Sequence, residues 1–314
     1  MSEKKISLII PVFNEEKNLA QLYDAIKPVV AFLPYMWEVL FVNDGSRDGS
    51  SRSLEMLAAR DERVKVIEFT RNFGKEVAMS AGIEACTGEA CIILDADLQH
   101  PVEKIPEFIK EWEKGSDVVV GVRTQNAGAG LMKRIGSRVF YFLMKRISDT
   151  RMVPHATDYR LLDRKVIDAF VRCREKNRFT RGLIDWLGFT TSYIYFFAHE
   201  RAGGEPGYGF VKLARLALTS VVTHSLFPLR VAGYLGGIIT LISAPLGLFI
   251  LVEKYILHDP LGLNFTGTAM LAVFNMFLVG IVLICLGLMS FYIASIHREV
   301  LGRPLYVVRR RIHF

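Results

Sequence analysis

Two carboxylates one residue apart, Asp95 and Asp97 in IILDADLQHP (Ile92 to Pro101), stand where a branched apolar run gives way to a polar loop closed by proline. Like charges this close repel unless a cation lies between them. Carboxylate oxygens in a tight turn suit Mg²⁺ or Mn²⁺, with positions left open for a substrate diphosphate. The same tripeptide also makes an Asx-type turn that simply ends a strand, and spacing alone leaves both readings open. Asp44 in VNDGSRDGS has the same double character. It is good turn and N-cap chemistry, and equally a carboxylate able to accept hydrogen bonds from a nucleobase or ribose. His100 is either a ligand contact or part of the turn into the next helix. Trp186 reads as core or interfacial packing, and Arg178 and Arg181 as solvated or membrane-surface residues.

The segments around these residues alternate between strand and helix patterns. ISLIIPV precedes a helix over Glu15 to Phe32. WEVLFVND precedes the turn Gly45 to Gly49 and a helix through Ala59. VKVIEFT precedes a helix over Lys75 to Ala85, and CIILDAD a helix over Val102 to Lys114, before SDVVVGVR. Such alternation predicts an α/β fold with a mostly parallel, Rossmann-like sheet covered by helices on both faces. Ligands of these sheets bind beyond the C-terminal strand ends, so Asp44, Asp95 and Asp97 are expected to share one cleft. Farther on, Leu131 to Ile147 and Phe210 to Phe227 read as basic amphipathic helices, suited to a membrane surface or to a core. A glycine cluster from Gly203 to Gly209 suggests a mobile loop.

The apolar excess lies almost entirely after residue 225, and it raises the mean hydropathy of the 314 residues to +0.28. Neither Val231 to Val252 nor Ala269 to Ile296 contains a charged residue. Each exceeds the roughly 20 residues a helix needs to cross a bilayer, so two transmembrane helices are expected. Lys212, Arg215 and Arg230 enter the first, and Arg298, Arg303, Arg309, Arg310 and Arg311 follow the second. The loop between them offers Lys254 against Glu253 and Asp259. Positive flanks of this kind place both termini and the N-terminal domain in the cytoplasm. The first residues lack the apolar core of a signal peptide. Cys86, Cys91, Cys173 and Cys285 show no metal-type spacing and fit a reducing compartment. A net charge of +7 suits an anionic leaflet better than nucleic acid.

In order, IPVFNEE, VNDGSRDGS, RNFGKE, LDADLQHP, GVR, DYRLLDR, NRFTRGL, PLR and GRPLY run along the whole chain. Together they resemble the family-2 inverting glycosyltransferases of the GT-A fold. The nearest branch is the polyprenyl-phosphate (bactoprenol) glycosyltransferases, similar to dolichyl-phosphate mannose synthase with added membrane helices. The resemblance implies a cytoplasmic GT-A catalytic domain over 1–210, an interfacial helix over 211–230, two membrane helices over 231–297 and a basic tail over 298–314. It implies transfer of a sugar from a nucleotide diphosphate donor to a polyprenyl phosphate at the plasma membrane, with a homo-oligomer, a tetramer by analogy. UDP-glucose is the first candidate donor and UDP-N-acetylglucosamine the second. GDP-mannose, or a non-catalytic nucleotide-sugar-binding scaffold, is the alternative.

Residue by residue, the resemblance implies that Pro11, Glu15 and Asp44 contact the nucleoside. Asp95 and Asp97 would hold the metal, Asp97 most directly, with Gln99 beside the sugar phosphate and Arg201 on the donor diphosphate. Arg123, Lys133 and Ser137 would hold the acceptor phosphate. Lys133 stands where relatives often have arginine, replacing a bidentate fork by a point charge. The loop after Arg201 lacks the lysine that commonly precedes Tyr208. Asp158 matches a carboxylate often named as catalytic base. A phosphate monoester, however, already carries roughly 1.5 to 2 negative charges near neutral pH. Asp158 is therefore expected to orient the acceptor or neighbouring arginines, Arg160 among them, and to need a cation beside it.

Overall fold

The computed structural model describes residues 4–124, 155–173, 175, 178–197, 245, 252 and 267–314. The chain divides into two units, Met1–Gly207 with Arg303–Phe314, and Tyr208–Gly302. In the first unit, β1 (Lys5–Val12), β2 (Met36–Asn43), β3 (Val64–Phe69) and β4 (Ala90–Ile93) lie parallel, in the order β4-β1-β2-β3. Helices α1 (Glu16–Ala31), α2 (Ser50–Arg60) and α3 (Lys75–Ala85) connect them. A short 3₁₀ turn, Val102–Lys104, leads into α4 (Ile105–Glu113) and β5 (Val118–Arg123). This half matches the sequence expectation closely, and α3 begins and ends where predicted. Strand β4 is shorter than predicted and stops at Ile93, so Asp95 and Asp97 lie in the turn beyond it.

The rest of the sheet is mixed. Strand β6 (Ala156–Asp163) runs antiparallel between β4 and β5, followed by α5 (Arg164–Arg172), α6 (Thr180–Trp186) and β7 (Thr191–Phe196), which lies parallel to β5. At the other edge β8 (Val308–Ile312) pairs antiparallel with β3, completing eight strands in the order β7-β5-β6-β4-β1-β2-β3-β8. The last residues are thus not a free basic tail. Arg309 and Arg310 both bind the buried Glu68 of β3, at 3.2 Å and 2.5 Å, and Arg310 also pairs with Glu55.

Period-2 alternation sorts the strand side chains onto two cores. Ile6, Leu8 and Ile10, with Ile92, Tyr159 and Leu161, pack under α1, α2 and α4. Ile9, Cys91, Ile93, Val120 and Leu162 pack under α3, α5 and α6. Glu38, 1% exposed, is held in β2 by Ser7 Oγ at 2.5 Å, the Thr87 amide at 2.7 Å and the ammonium groups of Lys65 and Lys5. Burial pushes its pKa up, but these donors outweigh it and bring it down to about 2.

In the second unit the structure describes one long helix, α7 (Gly267–Val300), of 34 residues, which contains the second expected span. Its side chains are described only in part, and among the described residues no helix is long and apolar enough to cross a membrane. The first expected span and both basic amphipathic segments lie outside the described residues, apart from Pro245 and Val252.

Candidate active site

The C-terminal rim of β1 to β4 carries four loops that hydrogen bonds zip together. Ser46 Oγ accepts from the Asn14 amide, and Asn14 Oδ1 from the Arg47 amide. Asp48 Oδ2 likewise accepts from the Glu16 amide, and Glu16 Oε2 from the Gly49 amide. Pro11 is buried in β1 opposite Val42. Glu15 opens α1 and accepts from Asn18 at 2.5 Å. Gly45 has φ +64°, and a Cβ there would sit 2.4 Å from the Arg71 carbonyl carbon, so this crossing of two loops requires glycine.

Asp44 is 2% exposed, and it ties the loop after β2 to the loop after β3. Its two oxygens accept from the amides of Phe73, at 2.6 Å, and Gly74, at 2.9 Å. Burial raises its pKa despite these donors. It is neither a plain turn former nor an N-cap. Each oxygen still keeps a lone pair for a nucleoside donor. The loop it holds is braced from behind by the C-terminal segment. Thr70 bonds Val307 through its amide and Arg309 through its carbonyl, and Phe69 stacks on Tyr306 at 4.8 Å and meets Phe73 edge-on.

After β4 the chain turns sharply, with Leu98 at φ +61°. Asp97 Oδ1 accepts from the Gln99 amide at 3.1 Å, and the Asp95 amide donates to His100 Nδ1 at 3.0 Å. His100 is buried and stacked on Tyr159 at 5.0 Å, and burial holds its pKa down against the pull of Asp95. It is a brace for the acidic turn, with its neutral ring accepting at Nδ1. Gln99 Oε1 is within 3.4 Å of Arg123 Nη1 at the exposed end of β5, joining the acidic turn to β5.

Asp158 reaches this rim because β6 is antiparallel to β4. The ladder pairs Ile93 with Arg160, so continuing it by two residues sets Asp158 opposite Asp95. The carboxylate is 6% exposed and fully occupied. Lys75 Nζ binds Oδ2 at 2.8 Å, and Arg181 binds both oxygens, through Nη2 at 3.0 Å and through a shorter Nε contact. Burial alone would raise its pKa, but the charges and hydrogen bonds of Lys75 and Arg181 hold it well below the usual carboxylate range. Lys75 Nζ also lies 2.6 Å from Asp95 Oδ1. That oxygen is buried and receives no hydrogen bond of sound geometry.

Several expectations change here. The arginine beside Asp158 is Arg181, whereas Arg160 is committed to Asp185 at 2.8 Å. Arg181, its side chain 38% exposed, is thus paired within the site. Arg178 has a side chain only 4% exposed, over the Phe170 ring, and is not a membrane-facing residue. Trp186 is 66% exposed among the described residues, not core packing. Lys75 had no assigned role, although RNFGKE was among the segments singled out. A lysine at the first position of a helix opposes the helix dipole, and that was the available signal. Lys133, Ser137 and Arg201 lie outside the described residues.

Hard oxygen donors one residue apart, one of them a buried carboxylate oxygen held by an ion pair to Lys75, fit a divalent ion at Asp95 and Asp97. No group of three acidic, histidine or cysteine side chains that could hold a metal occurs among the described residues. An ion here would need ligands beyond these two carboxylates.

Comparison with known proteins identifies the family. Residues 7–170 match the model of glycosyl transferase family 2. An uncharacterized glycosyltransferase of Synechocystis is 36% identical over 97% of this chain and 94% of its own. A prophage-derived bactoprenol glucosyl transferase of Shigella flexneri is 36% identical over 98% of both chains. A prophage bactoprenol glucosyl transferase homolog of Escherichia coli is 35% identical over 98% of this chain and 99% of its own. With the acidic turn, the braced Asp44 loop and Asp158 gathered on one rim, the chain belongs to glycosyl transferase family 2 and is a glycosyltransferase.

Proposed function

We propose that the chain transfers a sugar from a nucleotide diphosphate donor, UDP-glucose in the first instance, to a polyprenyl phosphate, with inversion at the anomeric carbon. The observation that carries this reading is the state of Asp158. A carboxylate locked between two cations, with its pKa pushed far down, is a poor proton acceptor. It suits a nucleophile that needs no base, and a phosphate monoester is such a nucleophile. A hydroxyl acceptor would need proton removal, which Asp158 in this state does not supply. Nearly full-length likeness to proteins named bactoprenol glucosyl transferase supports the same acceptor class.

In this reading Asp44 and the amides it fixes shape the nucleoside pocket. Asp95 and Asp97 would hold Mg²⁺ or Mn²⁺, and such an ion supplies charge to the departing nucleoside diphosphate. The same reading assigns Arg123, Lys133 and Ser137 to the acceptor phosphate and Arg201 to the donor diphosphate. Asp158 fixes Lys75 and Arg181, so that the phosphate oxygen meets a compensated site instead of a bare carboxylate.

Helix α7 carries no charged residue over 267–296 and, at about 1.5 Å per residue, is about 50 Å long. We read it as a membrane span. The first unit both precedes and follows residues 208–302, so any crossing must be matched by a return. That parity supports a second crossing at Val231–Val252, and the basic residues flanking the two segments support a catalytic unit on the cytoplasmic face. The test is incubation of the purified chain with undecaprenyl phosphate, Mn²⁺ or Mg²⁺, and labelled UDP-glucose, UDP-N-acetylglucosamine or GDP-mannose. A glycolipid from UDP-glucose that Asp97→Ala abolishes is expected. If no donor yields glycolipid, the scaffold alternative takes its place.

A further inference from the structure

We propose that Lys75 is an internal counter-ion that occupies Asp95 until a divalent ion and the donor diphosphate displace it. The inference rests on the reading of Asp95 and Asp97 as metal ligands. The Lys75 ammonium bridges two carboxylates from neighbouring strands, 2.6 Å from Asp95 and 2.8 Å from Asp158. The two contacts are not equivalent. Toward Asp158 the geometry is that of a hydrogen bond, whereas Asp95 Oδ1 is approached closely without one. Asp95 is thus neutralised by Lys75, whereas Asp158 is neutralised by Lys75 and Arg181 together.

The remaining geometry lets the ammonium leave. Asp158 does not depend on it, because Arg181 binds both carboxylate oxygens. The Lys75 side chain is 45% exposed on a four-carbon stem, so it can swing from Asp95 while staying on Asp158. It projects from the first residue of α3, after an N-cap glycine at φ +105°, where its charge opposes the helix dipole. Local helix electrostatics does not favour a lysine there. The two carboxylates it bridges do.

This device weakens ion binding to the free enzyme and makes it depend on the donor. With Lys75 in place the ion must displace a cation to reach Asp95. When the diphosphate arrives, its charge holds the ion and offers the released ammonium a new partner. Lys75 is then a positioning residue that couples metal and donor binding.

The experiment measures Mn²⁺ binding to the purified full chain by the electron paramagnetic resonance signal of free Mn²⁺, with and without UDP. Wild type, Lys75→Met and Lys75→Arg are compared. Without UDP, Lys75→Met should bind Mn²⁺ about tenfold more tightly than wild type, whereas Lys75→Arg, which keeps the charge, should not. UDP should tighten Mn²⁺ binding to wild type more than to Lys75→Met. A lysine with a merely structural role would, when removed, leave affinity unchanged or lower it. Mn²⁺ binding by wild type with UDP, but no tightening in Lys75→Met, overturns the role of Lys75 alone. Failure of wild type and Lys75→Met to bind Mn²⁺ even with UDP overturns the metal reading, and this inference with it.

Discussion

Replacing Asp158 by asparagine separates an orienting carboxylate from a catalytic base. Asparagine keeps the volume and one acceptor oxygen but removes the charge that Lys75 and Arg181 share. Stripping one partner from a buried ion pair costs about 3–5 kcal/mol. Here the loss is softened, because Lys75 retains Asp95 and Arg181 retains the Ala156 carbonyl at 3.1 Å. We expect about 2–3 kcal/mol of stability to go, which for a domain of this size lowers Tm by about 4–12 °C. Glycolipid formation should fall by about 100-fold or more, since both cations lose their fixed positions. The decisive assay is the initial rate from pH 5 to 8 in wild type and variant. Asp158 stays ionised over that whole range, so the acid limb should follow the second ionisation of the acceptor phosphate, near 6. Both proteins should share that limb. An acid limb that disappears in Asp158→Asn would refute the reasoning and restore Asp158 as a base.

Gly45→Ala forces a side chain at φ +64° into the Arg71 backbone, so UDP affinity should drop about tenfold while the circular dichroism of the sheet persists. Glu38→Gln tests the buried network away from the site. Its lowered pKa contributes about 3 kcal/mol that is fully present above the unfolded value, near 4.3, and lost as pH falls through about 2. The stability gap between wild type and Glu38→Gln in urea should therefore be widest above pH 5 and close toward pH 2. Arg309→Ala with Arg310→Ala loosens β8. These pairs are partly exposed and contribute about 1–2 kcal/mol together, so the fold should survive, while amide exchange at Phe73 and Gly74 quickens. Unchanged exchange there would show that the C-terminal strand does not brace the Asp44 loop.

Much of this molecule could be read locally. The parallel half of the sheet declares itself through apolar runs followed by Asn-Asp-Gly or Asp-Ala-Asp turns, and the acidic rim residues fall at predicted strand ends. What escaped was set by partners distant in sequence. Arg181 and Lys75 meet Asp158 across 23 and 83 residues, so no window of sequence pairs them. The arginine run of β8 has the composition of a solvated tail, and only Glu68 and Glu55, more than 240 residues earlier, make it a strand. Strand β6 hides in DYRLLDR because Asp158 and Arg160 occupy buried positions where a simple pattern demands apolar residues.

The seam between β3 and β8 bears on how the molecule is made. The sheet's Glu68 edge meets its partner only after 241 further residues have been synthesised and any excursion of the second unit is complete. Closing such a loop costs only a few kcal/mol more than a short one, but the wait is long and contact order this high slows folding. During that interval β3 offers an open edge and an acidic side chain without its arginines, which discourages pairing with another chain. The loop that fixes Asp44 is likewise left without its brace. A nascent chain would thus have a sheet before it has a fully formed nucleotide pocket, and competence to bind donor would arrive with its last strand.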